Sequence, residues 1–172
     1  QDATSDLTAD LAFDNNNSGA ATGDEFVRLE HLEGSNFRDN LRGSEGGNVL
    51  RGLAGNDTVF GRGGNDSING GEDDAILLGA AGADFLNGGA GTDRAAYWTA
   101  GSGVIADLLV AQVNTGDAAG DVFNGIENLQ GSNFDDDLRG DGLSNVLWGN
   151  NGNDILHGRQ GEDTLFGGDG DD

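Results

Sequence analysis

Glycine returns at every ninth residue through most of this chain. The frame runs Gly34, Gly43, Gly52, Gly61, Gly70, Gly79 and Gly88, and a second frame runs Gly131, Gly140, Gly149, Gly158 and Gly167. The sixth position of each unit reads Asp39, Asn48, Asp57, Asp66, Ala75, Asp84 and Asp93, then Asp136, Asn145, Asp154, Asp163 and Asp172. The eighth is apolar: Leu41, Leu50, Val59, Ile68, Leu77, Leu86 and Ala95, then Leu138, Leu147, Leu156 and Leu165. An α-helix cannot carry this pattern. Nine residues are about two and a half helical turns, so the apolar column would alternate faces, and each interior Gly costs about 1 kcal/mol. A unit of six turn residues followed by a short strand with one inward side chain does carry it. Two units then close one coil, and successive coils stack as parallel strands in two sheets. The expected fold class is all-β: a parallel β-roll (β-solenoid) in two tandem arrays.

A longer repeat contains the short one. Shifting the sequence by 97 residues aligns Thr8–Gly71 with Ile105–Gly168 without a gap, and 32 of the 64 pairs are identical. The expected organisation is an irregular β cap over 1–33, a first roll over 34–96, an irregular β linker over 97–130 and a second roll over 131–172 that stops inside a repeat. The chain reads as a piece of a longer array, with further domains of the same parent chain as neighbours.

The charge balance narrows the partners. There are 31 acidic and 8 basic residues, for a net charge of −23. Such self-repulsion opposes compaction unless cations answer it. Nucleic acid is excluded for want of a basic footprint. No run approaches the roughly 18 apolar residues of a membrane-spanning helix. High Gly and high charge alone would also describe a disordered acidic linker, but the apolar column in register argues against it.

Stacked coils place each sixth position over that of the repeat two further on. The pairs are Asp39/Asp57, Asn48/Asp66, Asp66/Asp84, Asp136/Asp154, Asn145/Asp163 and Asp154/Asp172. Two carboxylates one strand apart, about 4.8 Å, repel unless a cation lies between them. Carboxylate and carbonyl oxygens without His or Cys make a hard-cation site, and calcium accepts six to eight such ligands in loose geometry. The plainer reading, solvated turn-forming Asp, fits a single motif but not a recurrence in register with a Leu column.

The units Gly52-Leu-Ala-Gly-Asn-Asp-Thr-Val-Phe, Gly149-Asn-Asn-Gly-Asn-Asp-Ile-Leu-His and Gly158-Arg-Gln-Gly-Glu-Asp-Thr-Leu-Phe resemble the RTX, or haemolysin-type, calcium-binding nonapeptide. The stretches Ile126-Glu-Asn-Leu-Gln-Gly-Ser, Asp137-Leu-Arg-Gly and Asn145-Val-Leu-Trp-Gly are similar to serralysin C-terminal domains and alginate-epimerase R-modules. The resemblance implies several calcium ions and a secreted protein, exported unfolded by a type I system and folding on extracellular calcium. It implies that Asp66 and Asp84 share an ion with carbonyls of Gly61, Gly63, Ala80 and Gly82. A second such site pairs Asp154 and Asp172 with carbonyls of Gly149, Asn151, Gly168 and Gly170.

Some units depart from the pattern. Ala75 stands where Asp belongs, which weakens its neighbours unless Asp73 or Asp74 substitutes. Phe37, Phe134 and Leu143 replace the fourth-position Gly, so those turns are expected to hold metal poorly. Asp93 faces only Ala75 and has no nonapeptide after it, so losing Asp93 is expected to cost less than losing Asp66. Asp24, Glu30, Asp121 and Glu127 recur in both 97-residue copies and fit either a further calcium site or turn caps.

Nothing reads as catalytic. His31 is replaced by Asn128 in the other copy, and His157 by Phe60. Outward positions collect Thr58, Phe60, Ile76 and Leu78 on one face, and Val146, Trp148, Thr164 and Phe166 in the second array. Such a ladder is covered by the irregular segments or the neighbouring roll, or else it binds a partner. The expected function is a non-enzymatic calcium-binding structural or adhesive repeat of a secreted bacterial protein, at the cell surface or free outside it. The alternative is an accessory module of a secreted epimerase, protease or lipase, with a carbohydrate or cell-surface ligand.

Overall fold

The computed structural model describes residues 4–172, with only the backbone of residue 14; residues 1–3 of the expected cap lie outside it. Strands follow in the order β1 (Thr8–Asp10), β2 (His31–Glu33), β3 (Asn40–Arg42), β4 (Val49–Ala54), β5 (Thr58–Gly63), β6 (Ser67–Glu72), β7 (Ile76–Ala81) and β8 (Phe85–Gly89). They continue with β9 (Arg94–Ala96), β10 (Ile105–Asp107), β11 (Val122–Asn124), β12 (Asn128–Gln130), β13 (Asp137–Arg139), β14 (Val146–Asn151), β15 (Ile155–His157) and β16 (Thr164–Asp169). Every strand pairing is parallel, and within the arrays each strand pairs with the one 18 residues on, as in Thr58↔Ile76 and Val49↔Ser67. The chain is a β-solenoid.

Its inner columns are eighth positions, continued through the irregular segment by Leu129 and Ala106, while Leu165 near the end of the stack is exposed. Leu41, Val59, Leu77, Ala95, Leu129 and Leu147 line one sheet, and Leu50, Ile68, Leu86, Ala106 and Leu138 face them; all are fully buried. The core is one side chain deep per strand. A unit that buries so little apolar surface depends on its turns for the remainder of its stability.

The turns require left-handed backbone at the second and fourth positions. Gly82, at a fourth position, has φ +153, and a β-carbon there would run into the Gly64 carbonyl of the turn below. Second positions carry side chains despite the cost, with φ 78 at Arg62, 67 at Ala80 and 73 at Arg159.

Among the described residues, one sheet of eight strands, β1-β3-β5-β7-β9-β12-β14-β16, runs through both 97-residue copies. The other side is divided into β11-β8-β6-β4-β2 and β10-β13-β15. The join is β9 on β12, with Arg94↔Asn128 and Ala95↔Leu129. Residues 97–121 interrupt the 18-residue spacing between these strands: β10 within them pairs with β13, and a short 3-10 turn, Gly116–Ala118, lies near β7, where Leu78 is buried. Equivalent strands of the two copies lie on opposite sides. β3 is in the eight-stranded sheet and its counterpart β13 is across from it; β4 and β14 reverse the relation. One copy is thus half a coil out of phase with the other.

Because the copies share a sheet and a core, Leu77→Ala is expected to destabilise the calcium-loaded protein by about 2–5 kcal/mol. The loss should appear as a shift of one cooperative thermal transition. Two transitions, with only one displaced, would show that the copies fold independently.

Candidate metal-binding turns

The turns stack along the two edges of the solenoid, and their sixth positions form ladders. In each rung one carboxylate oxygen, Oδ1, accepts the backbone N–H of the sixth residue in the coil below. Asp57 accepts from Asp39, Asp66 from Asn48, Asp84 from Asp66, and Asp93 from Ala75, at 2.7–2.8 Å. In the second copy Asp154 accepts from Asp136, Asp163 from Asn145 and Asp172 from Asp154. All the expected pairs are therefore adjacent in the structure.

The second oxygen has a different fate. Oδ2 of Asp57, Asp66, Asp84, Asp93 and Asp154 is buried and meets no hydrogen-bond donor. Its surroundings are visible from the first-position glycines. A β-carbon on Gly61 would overlap Asp66 Oδ2 and lie 3.0 Å from the Gly79 carbonyl oxygen. The same arrangement holds at Gly52 with Asp57 and the Gly70 carbonyl, and at Gly149 with Asp154 and the Gly167 carbonyl. An anionic oxygen thus shares a small space with a carbonyl oxygen, and no donor reaches the carboxylate oxygen. Burial pushes Asp57 and Asp66 up to about 7 and Asp84 and Asp93 to about 6, and it raises Asp154 as well. The hydrogen bond from the coil below offsets only part of this. Among the described residues no three His, Cys, Asp or Glu side chains converge, so the ligand set is carboxylate plus backbone carbonyl. That set fits a calcium ion.

The Gly61 carbonyl points at Gly43 in the turn below, and Gly79 supplies the first-position carbonyl near Asp66. Likewise the Gly149 carbonyl faces Gly131, and Gly167 stands near Asp154. These first-position carbonyls share one direction, down the stack toward the preceding coil. Gly82 lies over the Gly64 carbonyl, Gly168 over that of Asn150 and Gly170 over that of Gly152; Ala80 pairs with Arg62 in register. Gly63 lies beside the Glu45 carboxylate, and the Asn151 amide bonds Asn133.

Other sixth positions are already satisfied. Asp39 Oδ2 takes the Ser35 N–H, and Oδ1 takes the Ser35 hydroxyl; Ser132 does the same for Asp136. The Asn48 and Asn145 side-chain oxygens accept the N–H groups of Ser44 and Asp141. These opening turns have no orphaned oxygen. At Ala75 the ladder is broken, and the neighbouring acids do not fill the gap: Asp73 bonds the Gly55 N–H, and Asp74 the Thr92 N–H.

Two features escaped the sequence reading. Arg62 makes a two-pronged ion pair with Asp10, at 2.8 Å for both contacts, and also donates to the Gly43 carbonyl. Arg159 repeats this on Asp107, at 2.9 and 2.6 Å, and on the Gly140 carbonyl. Here a guanidinium neutralises the carboxylate-plus-carbonyl pair that is left bare elsewhere. Burial would raise Asp10, yet its bonds from Arg62, Asn16 and the Ala12 N–H hold it at about 2. The second feature is that the ladders continue past the nonapeptides. Asp121 accepts from the Asp84 N–H and from the Tyr97 hydroxyl, and Glu127 accepts from the Asp93 N–H. Asp93 is therefore followed by a partner, contrary to expectation, because β11 and β12 extend the stack. The recurrence of Asp10, Arg62, Asp24 and Glu30 at +97 was the available signal.

Four matches to the RTX calcium-binding nonapeptide repeat cover residues 33–68, 42–77, 69–95 and 139–172. Together they span more than half of the chain, and the chain belongs to this family. No curated protein matches it.

Two opposite pH responses follow. The ladder Asp residues, ordinarily near 3.8, have raised values in the fold, so the metal-free fold gains stability as pH falls from about 7 toward 4 and loses it as pH rises. Circular dichroism in EDTA should show β-structure returning on acidification across that window; a flat response would contradict the burial of these groups. Asp10 has the opposite sign: its contribution is present above 3.8 and lost as pH falls toward 2. Arg62→Met should cost about 3–5 kcal/mol, since it strands a buried charge, without changing the number of bound ions measured by native mass spectrometry.

Proposed function

We propose that this chain is a calcium-stiffened structural repeat of a larger secreted protein, without catalytic activity of its own. The observation that carries the reading is the ladder of buried carboxylate oxygens with no donor. Such a stack is self-repelling in the absence of metal and rigid once ions fill it. Calcium is scarce inside cells and plentiful outside, and extracellular modules bind it at about 10⁻⁴–10⁻³ M. The chain would thus remain extended before export and order afterwards. The eight-stranded sheet running through both copies suits a spacer or adhesive stalk that transmits force along one axis.

A second reading has one specific observation in its favour. Trp148 and Phe166 stack at 6.1 Å and 11° on the outer face of the eight-stranded sheet, and Arg94 lies 5.0 Å over the Trp148 ring. Flat aromatic platforms beside a polar group suit a sugar ring, which would make the chain a carbohydrate-binding module of a secreted enzyme. Quenching of Trp fluorescence by oligosaccharides, lost in Trp148→Ala, would support it.

Calcium titration followed by far-ultraviolet circular dichroism and native mass spectrometry tests the main reading. The expected result is a cooperative gain of β-structure with roughly five to eight ions bound at millimolar calcium. A fully folded, cooperative state in excess EDTA at neutral pH would overturn it.

A further inference from the structure

The nonapeptides stop at Asp93 and resume at Gly131, yet the ladder of turns through Asp39, Asp57, Ala75 and Asp93 does not stop. The segment Gly125-Ile126-Glu127 occupies the place of the next turn above 88–93. Gly125 has φ +57 and points its carbonyl at Gly88, where a β-carbon would overlap both that oxygen and Asp93 Oδ2. Asp93 is fully buried, and its Oδ2 has no hydrogen-bond partner. Glu127 Oε2 accepts the Asp93 N–H at 2.8 Å, the bond that a sixth-position Asp makes elsewhere. The Glu127 backbone carbonyl in turn accepts from Asn145 Nδ2 in the opening turn of the second array, at 2.7 Å.

We infer that Asp93, Gly125 and Glu127 form a calcium site at the junction of the two arrays, built half from a nonapeptide and half from a segment outside the repeat. Its oxygens are those of the regular turns: a buried orphaned carboxylate, a first-position carbonyl from the coil above and a carboxylate from that coil. The glutamate compensates for a shorter backbone, since three residues replace six and its longer side chain reaches the same rung. The counterpart of this segment is Arg28-Leu29-Glu30, where Arg28 has φ 56, the same left-handed turn as Gly125. The motif is therefore a fixed part of the 97-residue unit.

The other edge of the junction is finished differently. There the corresponding acid, Asp121, takes the Tyr97 hydroxyl on its second oxygen at 2.8 Å. A buried phenol closes that ladder with a neutral donor. The ion proposed at Asp93 would thus link the two arrays across the interruption, beside the β9–β12 strand pairing.

The inference rests on calcium occupying the regular turns, and the test separates the two. Ion number is counted by native mass spectrometry at saturating calcium for wild type, Glu127→Gln, Asp93→Asn and the double variant, with Asp154→Asn as a reference for a regular turn. Circular dichroism checks that each is folded. The expected result is one ion fewer in Glu127→Gln and in Asp93→Asn, with no further loss in the double variant. The thermal transition should broaden or divide, because the arrays lose a link. An unchanged ion count in folded Glu127→Gln would overturn the junction site, meaning that Asp93 and Glu127 share a proton instead. A wild type that binds no ions would overturn the calcium reading itself. If Glu127→Gln fails to fold even at saturating calcium, Glu127→Lys decides: an ammonium placed there should restore the fold with one ion fewer, and failure to restore it counts against a cation at this position.

Discussion

The structure depends on a carboxylate whose two oxygens have different tasks. One oxygen is a fixed strut, holding the N–H of the coil beneath it at 2.7–2.8 Å in the first array. The other is buried beside a carbonyl oxygen with no donor in reach. The strut makes the stack regular, and the bare oxygen makes it unstable without a cation. A core only one side chain deep cannot offset that repulsion by apolar burial. On the proposed reading, ion binding and folding would be linked along most of the solenoid.

The chain answers the same electrostatic problem in three chemical ways. In the regular turns the bare carboxylate and carbonyl oxygens fit a metal ion. In the opening turns at Asp39 and Asp136, a Ser hydroxyl and N–H supply the missing donors. Below Gly43 and Gly140 an arginine reaches across from the next coil and becomes the cation itself. The latter two need no calcium and stand at the start of each array. They provide an ordered coil on which the ion-dependent coils can stack, consistent with nearest-neighbour growth in repeat proteins.

Much of this was legible in the sequence, because a nine-residue period with an apolar eighth position leaves few alternatives. The stacking of Asp66 on Asp84 and of Asp154 on Asp172 follows from counting two repeats forward. What counting cannot give is the direction in which carbonyls point, which depends on left-handed turns at positions such as Arg62 and Ala80. The Gly61 and Gly149 carbonyls lie near Gly43 and Gly131 in the coil below. Nor does counting reach across 97–121. That interruption changes the spacing from 18 to 37 residues between Asp84 and Asp121 and to 34 between Asp93 and Glu127. The partner of Arg62 lay 52 residues away on β1, visible only as an Asp that recurs in both copies.

The half-coil offset between the copies has a mechanical meaning. Units stacked in phase would repeat any asymmetry between the two flanks at every copy and add it up along the stack. Units of this length place equivalent strands alternately on opposite flanks, as β3 and β13 show, so successive asymmetries cancel. A string of them would run straight and show the same side chains to both sides, more like a double-edged blade than a hook.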